Sequence, residues 1–329
     1  MASSRLPIFT IQTTQMTNVL NLVNPGKSNI HYKISRFPDG QQQVQIQEKE
    51  IRFSERSHVE IRARLNNFLD LELIICATKS LRNLGVENIH LYVPYFLGSR
   101  SDRKFEDGGN NYLKDVICPI INNLHFKSVT VMDPHSDSLE CCLWNYKKLD
   151  NSELVQSAIQ NIWDSNVASG YYKVAISGGR IKNYTVLVAP DAGASKKIEK
   201  LAESINYKGD IIVCSKNRDT KGRLTQTHVP IVDDGTPKDF IIVDDICDGG
   251  RTFINIAEKI DEYFASEDFD GYKPKKYLVV THGIFSQGFS ELKKYFDAIY
   301  CTNSYSEPID RMKVGDVLDK GFLNSFNVF

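Results

Sequence analysis

Residues 240–253 read Phe-Ile-Ile-Val-Asp-Asp-Ile-Cys-Asp-Gly-Gly-Arg-Thr-Phe. An apolar run that leads into two adjacent carboxylates, Asp244 and Asp245, is costly, because neighbouring negative charges repel and burial penalises both. A fold tolerates such a pair when something outside the chain needs it. Two carboxylates side by side suit the 2- and 3-hydroxyls of a ribose, or a Mg²⁺ ion beside them. Immediately afterwards come Asp248, Gly249, Gly250, Arg251 and Thr252. Glycines let backbone approach a ligand, and successive N–H groups at a helix N-terminus make an anion cradle. Thr252 adds a hydroxyl donor and Arg251 a charge. The segment reads as a device that holds a sugar by its diol and its phosphate by the loop. The plainer alternative is a strand followed by a tight turn with solvated acids.

Such a device needs a scaffold that ends strands at one edge. Short apolar runs at 88–96, 128–135, 185–190, 210–215, 240–245 and 276–283 read as strands. Helical spacing of apolar residues appears at 67–85, 111–124 and 195–206, the first closing on Gly85. Strands alternating with helices predict an α/β fold with mainly parallel sheets covered by helices. In such sheets ligands bind beyond the carboxyl ends of the strands. The rhythm runs twice, on either side of a polar, helix-containing connector at 144–170. Two domains are therefore expected, 1–160 and 161–329.

The bulk numbers fit a globular enzyme-sized chain of 329 residues, 41% hydrophobic and 25% charged. Forty Lys+Arg against 41 Asp+Glu leave a net charge of −1, so no basic field argues for nucleic acid. The seven cysteines are odd in number and form no CxxC pair, which favours reduced thiols over zinc or a disulfide framework. No run reaches the ~18 apolar residues of a membrane span, and the first residues lack a secretory signal pattern. A cytoplasmic protein is expected.

Six further segments stand out along the chain: "RFPDGQ" (36–41), "VPYFLGSRSDRKF" (93–105), "VMDPHSD" (131–137), "VAPDAGA" (188–194), "CSKNR" (214–218) and "THGIFS" (281–286). With "VDDICDGGRT" (243–252), they resemble the segments of ribose-phosphate diphosphokinases, the PRPP synthetases, in that family's order and over positions of about 30 to 315. The 243–252 segment alone also resembles the type I phosphoribosyltransferases, which are single-domain and lack most of the other pieces. The resemblance implies two phosphoribosyltransferase-like (type I) α/β domains, the first serving ATP and the second carrying the ribose-phosphate loop. It implies Mg²⁺-dependent transfer of the β,γ-diphosphoryl group of ATP, a co-substrate, to the C1 hydroxyl of ribose 5-phosphate.

By the same resemblance, Arg100, Ser101, Asp102 and Arg103 lie along ATP, His135 helps hold the metal–ATP unit, and Asp191 carries Mg²⁺. Lys216 and Arg218 belong to a mobile catalytic loop that closes over the transferring phosphates. Phe37 stacks on adenine, with Asp39 and Gln41 as polar contacts supplied by a neighbouring subunit. The implied state is a homo-oligomer, dimer or hexamer, with an active site at a subunit interface and with small-molecule partners only. Plainer readings stand beside these: a structural histidine, a solvated basic loop that includes Lys221 and Arg223, and a β-turn at Pro38-Asp39-Gly40.

The chain departs from the family pattern in four places. Where the phosphate loop usually reads Asp-Thr-Gly-Gly-Thr, Gly249 and Arg251 stand at the second and fourth positions. Gln41 replaces a Glu, Pro134 a Leu, and 106–115 is acidic and glycine-rich instead of Arg-rich. An arginine in the cradle narrows it for a terminal phosphate monoester and adds a fixed, multi-donor charge. That suits a substituted phosphate such as the one inside ADP-ribose, whose terminal ribose presents the same C1 hydroxyl. ADP-ribose is the acceptor of diverged, phage-type relatives that rebuild NAD⁺. A non-catalytic regulatory subunit is the alternative of another class.

Overall fold

Alternating apolar strands and amphipathic helices demand buried parallel sheets, and two are present in the computed structural model, which describes residues 18–47, 57–170, 185–218, 224–231, 238–266 and 273–329. The chain divides into two units. One extends to Asp150 and includes Asn327–Phe329; the other is Asn151–Phe326.

The N-terminal unit contains β1 (Asn18–Asn21), β2 (Tyr32–Arg36), β3 (Gln42–Ile46), β4 (His58–Arg62), β5 (Asn88–Tyr92), β6 (Ser128–Met132) and β7 (Tyr146–Leu149). Its sheet runs β1-β4-β5-β6-β7, parallel throughout, while β2 and β3 form a separate antiparallel hairpin. β5 and β6 are buried along almost their whole length, as expected for central parallel strands. Helix α1 (Phe68–Asn83) starts where Asn67 Oδ1 accepts the Leu69 and Asp70 N–H groups at 2.8 and 3.1 Å. It turns Leu71, Ile74, Ala77, Thr78 and Leu81 inward, the three-and-four spacing of one helical face. Each such aliphatic side chain contributes about 1.5–3 kcal/mol by burial.

Two elements differ from the sequence expectation. The helix expected over 111–124 is a π-helical segment, Leu113–Ile117, running into a short α2 (Cys118–Asn122). Pro119 has no N–H to give the carbonyl four residues back, and the Cys118 N–H reaches five residues back to Leu113 O. Helix α3 is Ser138–Cys142. The connector at 144–170 opens with β7, an edge strand of four residues whose two lysines hide its strand character.

The C-terminal unit contains α4 (Ser152–Ala168), β8 (Thr185–Ala189), α5 (Ser195–Ser204), β9 (Asp210–Val213), β10 (Ser215–Arg218), β11 (Leu224–His228), β12 (Asp239–Cys247), α6 (Arg251–Ser266), β13 (Lys276–Gly283), α7 (Ser290–Lys293), β14 (Ala298–Thr302) and β15 (Leu323–Phe326). Its sheet runs β15-β14-β13-β12-β8-β9, again parallel. The buried Asn166 of α4 donates to Tyr277 Oη at 2.9 Å and accepts from Lys275 Nζ at 2.7 Å, which ties this helix to β13 and the residue before it. Among the described residues no helix is long and apolar enough to cross a membrane.

Candidate active site

The expected strand over 240–245 is longer than its apolar run. β12 continues to Cys247, paired with Gly283 of β13, so Asp244 and Asp245 lie within the strand and not at its end. Asp245 is 5% exposed, and its Oδ2 sits 3.0 Å from Lys197 Nζ. Asp244 is half-buried, and its Oδ1 accepts the Asp245 backbone N–H at 2.9 Å. Burial first, and the Asp245 charge second, push the Asp244 carboxyl well above the usual carboxylate range. Lys197 pulls it back in part and Asp191 adds to the rise, so all three charges are felt at the Asp244 carboxyl.

Asp191 follows β8, the neighbour of β12 in the sheet, and caps a 3₁₀ turn by accepting Ala194 N–H at 3.2 Å. These oxygen donors suit Mg²⁺, which is commonly held by one or two carboxylates while phosphates and water complete its shell. Among the described residues no three His, Cys, Asp or Glu side chains converge on one point. An ion beside Asp191 would therefore take its other ligands from substrate and water.

The loop from Asp248 to Gly250 delivers the chain to α6. The Gly250 carbonyl accepts Phe253 and Ile254 N–H groups at 3.0 Å. The Arg251 and Thr252 amides precede these donors, have no carbonyl one turn back within the helix, and offer an anion the positive end of the dipole. Gly250 has φ +80°, and a Cβ there would lie 2.9 Å from Leu292 Cδ2, so this position requires glycine. Gly249 and Arg251 are exposed and Thr252 half-buried. The loop after β13 braces this one: Ile284 and Phe285 donate to Cys247 O at 2.9 and 3.1 Å, and Ser286 donates to Asp248 O at 3.2 Å.

Lys216 and Arg218 lie on β10, which forms an antiparallel hairpin with β11, irregular at Asn217/Arg218. The resemblance implied a loop here; the backbone is a strand. For these two residues the structure describes the backbone alone, and Lys221 and Arg223 lie outside the described residues.

In the N-terminal unit, β5 and β6 are neighbours, so the segments that follow them share one edge of the sheet. Arg100 is exposed and Ser101 half-buried, its N–H bonded to Gly98 O at 2.8 Å. The Asp102 side chain is only 6% exposed, 2.9 Å from Arg103 Nε, and Ser138 Oγ donates to it at 3.5 Å. Arg103 first, and the Ser136 hydroxyl after it, hold the Asp102 carboxyl below its usual value. Asp102 therefore joins its own segment to the one carrying His135, which is exposed. Arg103 is 71% exposed and reaches into solvent.

Phe37, Asp39 and Gln41 sit on the β2–β3 hairpin turn, where Phe37 N–H donates to Gln41 O and Gly40 N–H to Phe37 O, both at 2.9 Å. Phe37 is 51% exposed. The hairpin rests on α1, with Gln42 Nε2 donating to Leu69 O at 2.7 Å and to Glu72 at 3.1 Å. The turn is therefore a β-turn that also displays an aromatic ring.

Sequence reading missed Lys197, Ser136 and Ser138. The available signal for Lys197 was slight: a lysine beside the inward-facing Ile198, six positions after Asp191.

No protein-family model matches the chain. It is 25% identical over 297 residues to the ribose-phosphate pyrophosphokinase of Thermococcus kodakarensis, covering 89% of this chain and 92% of that protein. It is 26% identical over 286 residues to the ribose-phosphate pyrophosphokinase of Pyrococcus furiosus, covering 86% and 88%. The crystal structure of phosphoribosylpyrophosphate synthetase from Mycobacterium smegmatis superposes with a TM-score of 0.64 at 17% identity, covering 91% of this chain and 86% of that one, a likeness of fold.

Proposed function

The chain belongs to the ribose-phosphate pyrophosphokinase family, and from that premise we propose that it transfers the β,γ-diphosphoryl group of ATP to the C1 hydroxyl of a ribose 5-phosphate unit. The observation that carries this reading is the sequence of groups along β12 and into α6: a carboxylate pair, a glycine cradle, then a helix N-terminus. A diol and a phosphate one sugar apart match those two features in kind and order.

In the reaction the C1 oxygen attacks the β-phosphorus of ATP, the bond from that phosphorus to the α,β-bridging oxygen breaks, and AMP leaves. The hydroxyl proton is released. Asp244 and Asp245 accept the ribose hydroxyls, and Asp248, Gly249, Gly250, Arg251 and Thr252 hold the 5-phosphate. Arg100, Ser101 and Arg103 address ATP from the N-terminal unit, and Asp102 keeps that segment beside His135. Phe37, Asp39 and Gln41 take the adenine of a neighbouring subunit, a role that the exposed ring supports. Lys216 and Arg218 stabilise charge on the transferring group. Asp191 in one unit and His135 in the other would each offer Mg²⁺ a ligand, and the ion would neutralise phosphate charge and so aid displacement.

A second reading concerns the acceptor alone. Arg251 stands exposed on the first turn of α6 in the middle of the cradle, beside the exposed Gly249. A guanidinium there favours a phosphate that continues into a second group, so ADP-ribose competes with ribose 5-phosphate as acceptor.

One experiment tests both readings. Purified protein, ATP and Mg²⁺ are mixed with ribose 5-phosphate or with ADP-ribose, and AMP and the 1-diphosphate are quantified. Product with either acceptor supports the reaction, and the ratio of the two assigns the acceptor. Arg251→Gly should move that ratio toward ribose 5-phosphate if the arginine selects the larger molecule. No AMP with either acceptor would refute the catalytic reading in favour of a regulatory subunit.

A further inference from the structure

Asp244 on β12 lies in the negative field of Asp245 and, more weakly, of Asp191, which follows the neighbouring strand β8. A buried acidic pair is costly unless a cation or hydrogen bonds offset its charge. Lys197, near the start of α5, supplies a cation. Its ammonium lies 3.0 Å from Asp245 Oδ2, with the carboxylate side chain 7% exposed and the lysine side chain 32% exposed. The contact joins residues 48 positions apart and fixes which way the buried carboxylate points. Asp244 is held differently, by its neighbour's backbone N–H. The two acids are thus not equivalent: one is locked by a cation, the other by the backbone.

We propose that Lys197 is a positioning residue of the ribose subsite: it orients Asp245 to accept an acceptor hydroxyl and balances the acidic cluster until substrate binds. The proposal rests on the function argued above and adds a residue to it. A lysine suits this task because its compact charge carries three donors, so it can hold Asp245 and still face the neighbouring acids. It does not touch the transferring group, so its loss should weaken acceptor binding more than turnover.

The test uses the full chain with Lys197→Met and Lys197→Arg. Apparent KM for ATP, KM for the acceptor that the wild type uses, and kcat are measured. In parallel, the melting temperature without Mg²⁺ or substrate is recorded for Lys197→Met, Asp245→Asn and the double variant. Acceptor KM should rise roughly tenfold to a hundredfold in Lys197→Met, as expected for losing a charged hydrogen bond. ATP KM should stay within about twofold, as a site confined to the acceptor requires. Lys197→Arg, which keeps the charge, should recover part of the loss. Lys197→Met should lower the melting temperature in the wild-type background but not beside Asp245→Asn. If Lys197→Met does not fold, Lys197→Gln is read in the same way. Unchanged acceptor KM overturns the proposal, as does a melting loss that is equal in both backgrounds. A wild type that makes no AMP from either acceptor defeats the function reading instead, and the melting cycle still decides whether Lys197 holds Asp245.

Discussion

Replacing Asp244 by Asn should stabilise the unliganded protein while crippling its use of the acceptor. The side chain is half-buried, beside Asp245, with Asp191 adding to the negative field. Burial and these charges raise its carboxyl pKa, so the folded state binds this proton more tightly than the unfolded chain does. Stability then falls as pH rises from the ordinary carboxylate value through the raised one. Every tenfold gain in proton affinity on folding costs the charged form about 1.36 kcal/mol, and Lys197 offsets part of that cost. A net penalty on the order of 1.5–3 kcal/mol therefore remains at alkaline pH. Asn removes the charge, keeps the shape, and leaves an oxygen to accept the Asp245 N–H. At about 2–4 °C per kcal/mol for a unit of this size, Asp244→Asn should melt roughly 3–12 °C higher at pH 8.5. The gain should shrink toward zero near pH 4.5. The assay is fluorescence-monitored melting across that pH range, in chelator and without substrate, with acceptor KM measured alongside. Equal or lower melting at pH 8.5, or a difference that does not grow with pH, would refute this account of the pair.

Gly250→Ala places a side chain at φ +80°, 2.9 Å from Leu292 Cδ2, and should cost about 1–3 kcal/mol and raise acceptor KM; calorimetry and steady-state kinetics check it. Asp102→Ala removes the carboxylate joining Arg103 to Ser138, and should cost the N-terminal unit about 1 kcal/mol near neutrality. Because that carboxyl is held below its usual value, the cost should fade as pH drops through the lowered pKa, as acid titration of wild type against variant would reveal. Asn166→Ala leaves the Tyr277 hydroxyl and the Lys275 ammonium without this partner, and should destabilise by about 1–3 kcal/mol in urea. It lies outside the proposed machinery, so AMP formation per folded molecule should not change.

The parallel architecture was legible because its central strands are apolar over several consecutive residues, as at Ile241–Val243 and Leu278–Val280. Edge strands were harder to see. Tyr146–Leu149 is half solvated, so its lysines carry no period that marks a strand. The π-helical segment at Leu113–Ile117 was hidden because helical spacing does not report how a proline redistributes the ladder. β12 runs past Asp245 because β13 pairs with it as far as Cys247, a partner choice no local pattern carries.

By itself the sequence determined the kinds of groups and their order: carboxylates, cradle, helix start. These are properties of neighbouring residues, written in side-chain chemistry and in glycine's access to left-handed backbone. The tertiary structure alone decided which charges meet. Lys197 reaches Asp245 across 48 positions, and Ser138 reaches Asp102 across 36, because strands adjacent in a sheet are remote in the chain. The non-equivalence of Asp244 and Asp245 follows from those meetings. A carboxylate's pKa and orientation are set by the burial and charges around it in space, and two identical letters side by side carry no information about either.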